Sequence, residues 1–294
     1  MPAKTLVIGA TGRVGAELAR LLVEKEEAVR AATRTPASAA AKLPRAAEVS
    51  GFDFDKPETF APALKGISKV FLMARPGDNH ADKAAIPLID LARREGVRLI
   101  VNLTAMGVEK DDTFTLRILE KYIEVSGIPY VHLRPNWFMQ NFDSGPMHAD
   151  IRATGALHLP AADAKLSFID TRDIAAVALA ALTDPRHAGK AYTLTGGKAL
   201  DYYEAVAILS RVSGKTITYV PMSEEAACAA LNKAGVPADL IERWKNFYRI
   251  VRQGLCAPVI PDTESILGRP PITFEQYARD HAAAWNQEEK TTQS

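Results

Sequence analysis

The residues best suited to chemistry stand near the start of the chain. Gly9-Ala10-Thr11-Gly12-Arg13-Val14-Gly15 lies between a short apolar run, residues 5–8, and an amphipathic segment. Glycine at a tight turn and at the point of closest approach lets backbone N–H groups reach a pyrophosphate. The helix that follows adds the positive end of its dipole. The third glycine permits close packing of helix on strand, and a strand before with a helix after makes this spacing a dinucleotide-binding motif. Gly9, Thr11, Gly12, Arg13, Val14 and Gly15 are its expected cofactor contacts. The edge of the second strand then selects the dinucleotide. An acid there accepts from a ribose 2′-hydroxyl, whereas this chain has Thr33-Arg34. Arginine suits bidentate grip on a 2′-phosphate, unless Arg34 is simply a surface residue leading into a helix. NADP is the expected cofactor, NADPH preferred over NADH. Asp53 and Phe54, in Gly51-Phe52-Asp53-Phe54, either flank the adenine or form a turn with a core phenylalanine.

These residues need a scaffold to hold them. Apolar runs at 5–8, 28–32, 69–73, 99–103 and 130–133 alternate with helical patterns at 14–25, 82–94 and 115–125. In the first helix Val14, Leu18, Leu21 and Leu22 share one face. Short strands joined by crossovers of this length form a parallel sheet with helices on both faces. The expected fold is therefore α/β, a doubly wound NAD(P)-binding Rossmann sheet over residues 1–150. Beyond it the rhythm loosens, with strand-like pieces at 166–169, 191–194 and 216–220 and helices near 171–182, 202–212 and 223–253. Residues 151–287 are expected to form a smaller, mostly helical substrate lobe with strands returning to the main sheet, and 288–294 a flexible tail.

In such sheets ligands bind beyond the carboxyl ends of the strands. That places Met73, Ala74, Arg75 and Pro76, then Thr104, then Pro135 and Asn136 along the cofactor. A crevice between sheet and lobe is the expected substrate site, with Thr104, Asn136, Trp137, Phe138 and Phe168 as candidates. Thr104 either hydrogen-bonds substrate or nicotinamide or caps its own loop. Trp137 or Phe138 either stacks on a planar substrate or packs in the core. Arg172 and Asp173 read as charges at the first turn of a helix.

The 294 residues carry 36 Lys+Arg against 35 Asp+Glu, a net charge of +1. That balance offers no footprint for nucleic acid or an anionic membrane, and no apolar run is long enough to span a bilayer. The N-terminus lacks a signal-peptide pattern. Two cysteines, Cys228 and Cys256, fit a reducing compartment without a disulfide. No Cys/His spacing suggests a metal. A cytoplasmic monomer or homodimer acting on a small molecule is expected.

GATGRVG with an arginine after strand two, FDF after strand three and VHLRPNWFMQNF after strand six resemble the NmrA-like, atypical short-chain dehydrogenase/reductase group. The resemblance extends through Phe168-Ile169-Asp170-Thr171-Arg172-Asp173-Ile174-Ala175, Ser213-Gly214-Lys215 and Ala234-Gly235-Val236-Pro237. That group includes triphenylmethane reductase, an NADPH:quinone reductase and the festuclavine dehydrogenases, the last most similar around 133–141. Ordinary short-chain dehydrogenases set a lysine four residues after a catalytic tyrosine. Here Tyr122, Tyr130, Tyr202 and Tyr203 are followed at that spacing by Ser126, Arg134, Val206 and Ala207. Leu116 stands where many relatives have histidine or lysine. The resemblance thus implies hydride transfer directly to an electron-poor, planar or aromatic acceptor (a quinone, iminium or conjugated system) without an acid/base dyad, and assigns no catalytic residue. It also admits a non-catalytic NADP-binding redox sensor, or a carbonyl reductase.

Overall fold

The computed structural model describes residues 4–39, 42–75, 78 and 80–286. In chain order it holds β1 (Lys4–Ile8), α1 (Arg13–Glu24), β2 (Ala28–Thr33), α2 (Pro36–Ala39), β3 (Glu48–Gly51), α3 (Phe60–Leu64), β4 (Lys69–Met73), α4 (Ala81–Arg94), β5 (Leu99–Leu103), α5 (Thr115–Val125) and β6 (Tyr130–Pro135). It continues with α6 (Gly145–Thr154), β7 (Ala156–Leu159), α7 (Thr171–Thr183), β8 (Lys190–Leu194), α8 (Tyr202–Ser213) and β9 (Thr218–Pro221). Last come α9 (Glu224–Lys233), α10 (Ala238–Arg252), α11 (Asp262–Leu267), α12 (Phe274–Asp280) and α13 (Ala283–Asn286). Among the described residues no helix is long and apolar enough to cross a membrane.

The chain condenses into two compact units, the first from stretches within 1–135, 171–194 and 262–269. Its sheet has seven strands in the order β3-β2-β1-β4-β5-β6-β8, and every pairing is parallel. Leu6, Val7 and Ile8 are all buried; a run apolar on both faces is what a parallel sheet covered by helices demands. The order reverses between β1 and β4, which makes the carboxyl ends of β1, β2 and β4 the switch point where such sheets take ligands. On one face α1 buries Val14, Leu18, Ala19 and Leu22. It packs beside α7, whose alanines at 175, 178 and 181 leave room for close approach. On the other face Leu72, Leu88, Ile89, Leu119 and Ile123 join a cluster with Phe52, Phe54 and Phe60.

The second unit comes from 136–170, 195–261 and 270–294. It carries a parallel pair, β7 with β9, and a ring-rich core with Phe142, Phe168, Tyr202, Phe274 and Tyr277. The strand expected at 166–169 is only two isolated bridges, Leu166 to Leu200 and Ile169 to Phe138. Between them the Ser167 N–H donates to the Cys256 carbonyl, so a loop takes the bond a ladder would need.

Candidate functional site

The glycine turn is built by steric necessity. Gly9 has φ +73°, a conformation that favours glycine, and its carbonyl accepts from the Gly12 N–H at 2.9 Å. A Cβ at Gly9 would overlap Met73 Cε, and one at Gly15 would lie 2.8 Å from Gly9 C and closer still to Gly9 O. Helix α1 starts without a side-chain cap and without an acid in its first turn. The positive end of its dipole thus meets no cap side chain and no acid of its own first turn, an environment that suits a phosphate. Thr11 and Arg13 are exposed at this turn, whereas Val14 is buried and anchors the helix.

Beyond β2, Thr33 accepts from the Thr35 N–H at 3.2 Å. Arg34 is exposed. Asp53 accepts from the Asp55 N–H at 3.1 Å. Phe54 packs edge-on against Phe52 with centroids 4.9 Å apart. Phe54 is 9% exposed, so of the two readings of its ring the core one is observed. Met73 lies against the glycine turn, Ala74 is buried, and Arg75 pairs with Asp55 and Asp78. Pro76 lies outside the described residues.

At the carboxyl ends of β5 and β6 sits a buried polar network. Glu120 of α5 has a fully buried side chain. It accepts from Thr104 Oγ1 at 2.8 Å, from Arg134 Nε at 3.0 Å and Nη2 at 2.8 Å, and from Arg117 Nη1 at 2.9 Å. Burial alone would raise its pKa; the Arg134 guanidinium and the Thr104 hydroxyl outweigh that and hold it below the usual carboxylate value. Thr104, expected at the ligand, is therefore engaged inside the first unit. Tyr122, the one tyrosine on α5, donates to Asp90 at 2.6 Å, and that bond raises its pKa, opposite to the effect of a neighbouring lysine. Pro135 closes β6, and its carbonyl accepts from the Met106 N–H at 2.9 Å.

His132 and Glu124 complete the network. Glu120, Glu124 and His132 bring one ligand atom each within 4.8 Å of one another. Both Glu120 oxygens and one of Glu124 already accept guanidinium N–H groups, so the cluster is an ion-pair network rather than a cation cage. Burial pushes the His132 pKa down to about 4, and the ring is neutral near pH 7. Its Nδ1 lies 3.4 Å from Asn102 Nδ2 and its Nε2 3.5 Å from Glu124. Because the folded value lies below the unfolded one, this histidine's contribution is complete above about pH 6.5 and is lost as pH falls toward 4. The loss amounts to about 3 kcal/mol. Thermal melts between these pH values should therefore fall more steeply for the parent than for His132→Gln. Parallel curves would refute the assignment.

In the second unit Asn136 is buried. Its amide donates to Ser167 Oγ at 2.7 Å and the Cys256 carbonyl at 2.8 Å, a clamp between three segments. Trp137 and Phe138 are half-buried. The Trp137 ring meets Phe247 edge-on at 6.5 Å and Tyr248 at 5.5 Å. Phe168 corrects the expectation: it is 2% exposed, enclosed by Phe142, Tyr202 and Phe274, and belongs to the core. Asp173 is also buried and takes Arg269 at 2.7 Å, so it is an ion-pair partner in addition to a first-turn acid. Sequence reasoning missed Glu120, Arg117 and Arg134. The spacing of Arg117, Glu120 and Glu124 along one helix face was a signal available for the first.

The NmrA-like family model matches residues 1–254. The chain is 34% identical over 285 residues to the NAD(P)H azoreductase of Xenophilus azovorans, covering 95% of this chain and 98% of that protein. It is 33% identical over 285 residues, with the same coverage, to the (4-alkanoyl-5-oxo-2,5-dihydrofuran-3-yl)methyl phosphate reductase of Streptomyces griseus. The structure of an NADPH-dependent quinone oxidoreductase from Escherichia coli complexed with NADPH is similar at a TM-score of 0.82 and 25% identity, over 94% of this chain and 99% of that one.

Proposed function

The chain belongs to the NmrA-like family, and from that premise we propose that it is an NADPH-dependent reductase that passes hydride directly to an electron-poor, planar or aromatic small molecule. It is an oxidoreductase, as its full-length relatives are. The observation that carries the reading is the uncapped start of α1 behind a turn in which a Cβ at Gly15 would run into the Gly9 backbone. That arrangement fits a dinucleotide pyrophosphate. Relatives named as an azoreductase and a quinone oxidoreductase support the acceptor class.

A bound reduced nicotinamide supplies the hydride. The first-turn N–H groups of α1 hold the pyrophosphate, Gly15 keeps that helix against β1, and Arg34 grips the 2′-phosphate. On α5 and at the end of β5, Tyr122 and Thr104 are engaged by Asp90 and Glu120, so neither is free to act as a proton donor. The protein's contribution is orientation and proximity, which suits acceptors that take hydride before any proton.

NADPH consumption should be followed against quinones, azo and triarylmethane dyes, imines and enones. Oxidation with at least one class is expected. Tight NADPH binding without turnover of any would replace the reductase with the sensor. Arg34→Ala should weaken NADPH binding by about 1.5–3 kcal/mol, the range for a hydrogen bond to a charged group, with NADH little changed. Equal losses for both cofactors would remove the 2′-phosphate role.

A further inference from the structure

We propose that Asp55 is a specificity-determining residue: its carboxylate competes with a cofactor 2′-phosphate for Arg75 and so limits the preference for NADPH over NADH. This rests on the NADPH reading above. Arg34 follows β2, Asp55 follows β3 and Arg75 follows β4, so all three stand at the carboxyl edge of the sheet. Arg75 holds Asp55 in a two-point pair, Nη1 to Oδ2 and Nη2 to Oδ1, the latter at 2.9 Å. Its Nε donates to Asp78 Oδ2 at 3.2 Å. The Asp55 side chain is 66% exposed and that of Arg75 35%. Arg75 holds the Asp55 carboxyl below its ordinary pKa, and the charge of Arg34 contributes in the same direction, so Arg34 lies within electrostatic reach.

An exposed pair of this kind adds little to stability, and its partners exchange readily. A phosphate dianion offers a guanidinium the same two-point geometry with more charge. It therefore competes with Asp55 for Arg75, and while Asp55 stays ionised its charge also repels the incoming anion. The pyrophosphate relies on other groups, the N–H donors of α1, and NADH lacks the 2′-phosphate. The carboxylate at position 55 therefore acts on one cofactor and not the other.

The test is Asp55→Asn in the full chain, with binding of NADPH, NADH, 2′,5′-ADP and 5′-AMP measured by titration. NADPH and 2′,5′-ADP should bind about three- to tenfold tighter, the scale of one charge a few ångströms from an exposed site. NADH and 5′-AMP should be unchanged. The gain should shrink as salt is raised, since exposed charges are screened, and adding Arg75→Gln should abolish it. Unchanged 2′,5′-ADP affinity, or an equal gain for NADH, overturns the proposal. Arg34→Ala separates the two levels. If it weakens NADPH selectively while Asp55→Asn does nothing, only the role of Asp55 falls. If it weakens NADPH and NADH equally, the cofactor reading falls with it.

Discussion

Gly15→Ala is expected to weaken NADPH binding at least a hundredfold and to lower the melting temperature by several degrees. The added Cβ would meet Gly9 C at 2.8 Å, Ala10 Cα at 3.1 Å and Gly9 O closer still. All three are backbone atoms, so no change of side-chain rotamer relieves the overlap. Helix α1 must back away from the turn it follows. Overpacking of this kind costs about 1–3 kcal/mol, or several degrees for a unit of this size. Binding should suffer more, because the same shift moves every first-turn N–H off the pyrophosphate, and a hydrogen bond to a charged group contributes about 1.5–3 kcal/mol. Gly12→Ala is the comparison for stability alone: its Cβ would approach Gly9 O only to 3.2 Å, so its melting temperature should fall less than that of Gly15→Ala. Fluorescence titration of Gly15→Ala with NADPH and thermal melts of both variants measure these effects. A Gly15→Ala protein with parental affinity would show that the third glycine does not hold the cradle.

What could be read from the chain in advance was local. The turn at 9–15 and the strands at 69–73 and 99–103 announce themselves through spacing within a dozen residues, and strands joined by crossovers of that length imply a parallel sheet. What could not be read depends on contacts between distant residues. Glu120 stands among Arg117, Lys121 and Glu124 and looks like part of a solvated helix face; it is buried because Arg134, on the next strand, reaches it at 2.8 Å. The position of Asn136 after β6 points to the ligand; the bond from its amide to the Cys256 carbonyl at 2.8 Å, 120 residues along the chain, is invisible to local spacing. Phe54 and Phe168 sit in segments that suggest a ligand wall, yet ring partners elsewhere draw both into cores. β7, only Ala156–Leu159, is too short to show a period and forms because β9 pairs with it.

The network around Glu120 leads to the second large effect, a loss of about 3–5 kcal/mol on Glu120→Gln, the range for breaking a buried ion pair from one side. The carboxylate accepts from three side chains, and the side chains of Arg134 and Arg117 are only 13% and 17% exposed. An amide accepts through one atom only. It turns an NH₂ toward guanidinium groups and leaves two like charges without their shared counter-ion. The dependence on acidity has the opposite origin from that of His132 but the same sense. The folded Glu120 pKa lies below the unfolded value, so its stabilisation is present above the unfolded pKa and is lost as pH falls through the folded one. Urea unfolding at neutral pH measures the loss, and repeating it near pH 4 should narrow the gap between parent and Glu120→Gln. The double variant Glu120→Leu with Arg134→Met should recover part of it, because Arg134 goes with the carboxylate while Arg117 keeps Glu124 at 2.8 Å. A loss below about 1 kcal/mol, as for an exposed pair, would mean that water reaches Glu120. Thr104 and the end of β5 would then owe their position to the sheet and not to this carboxylate.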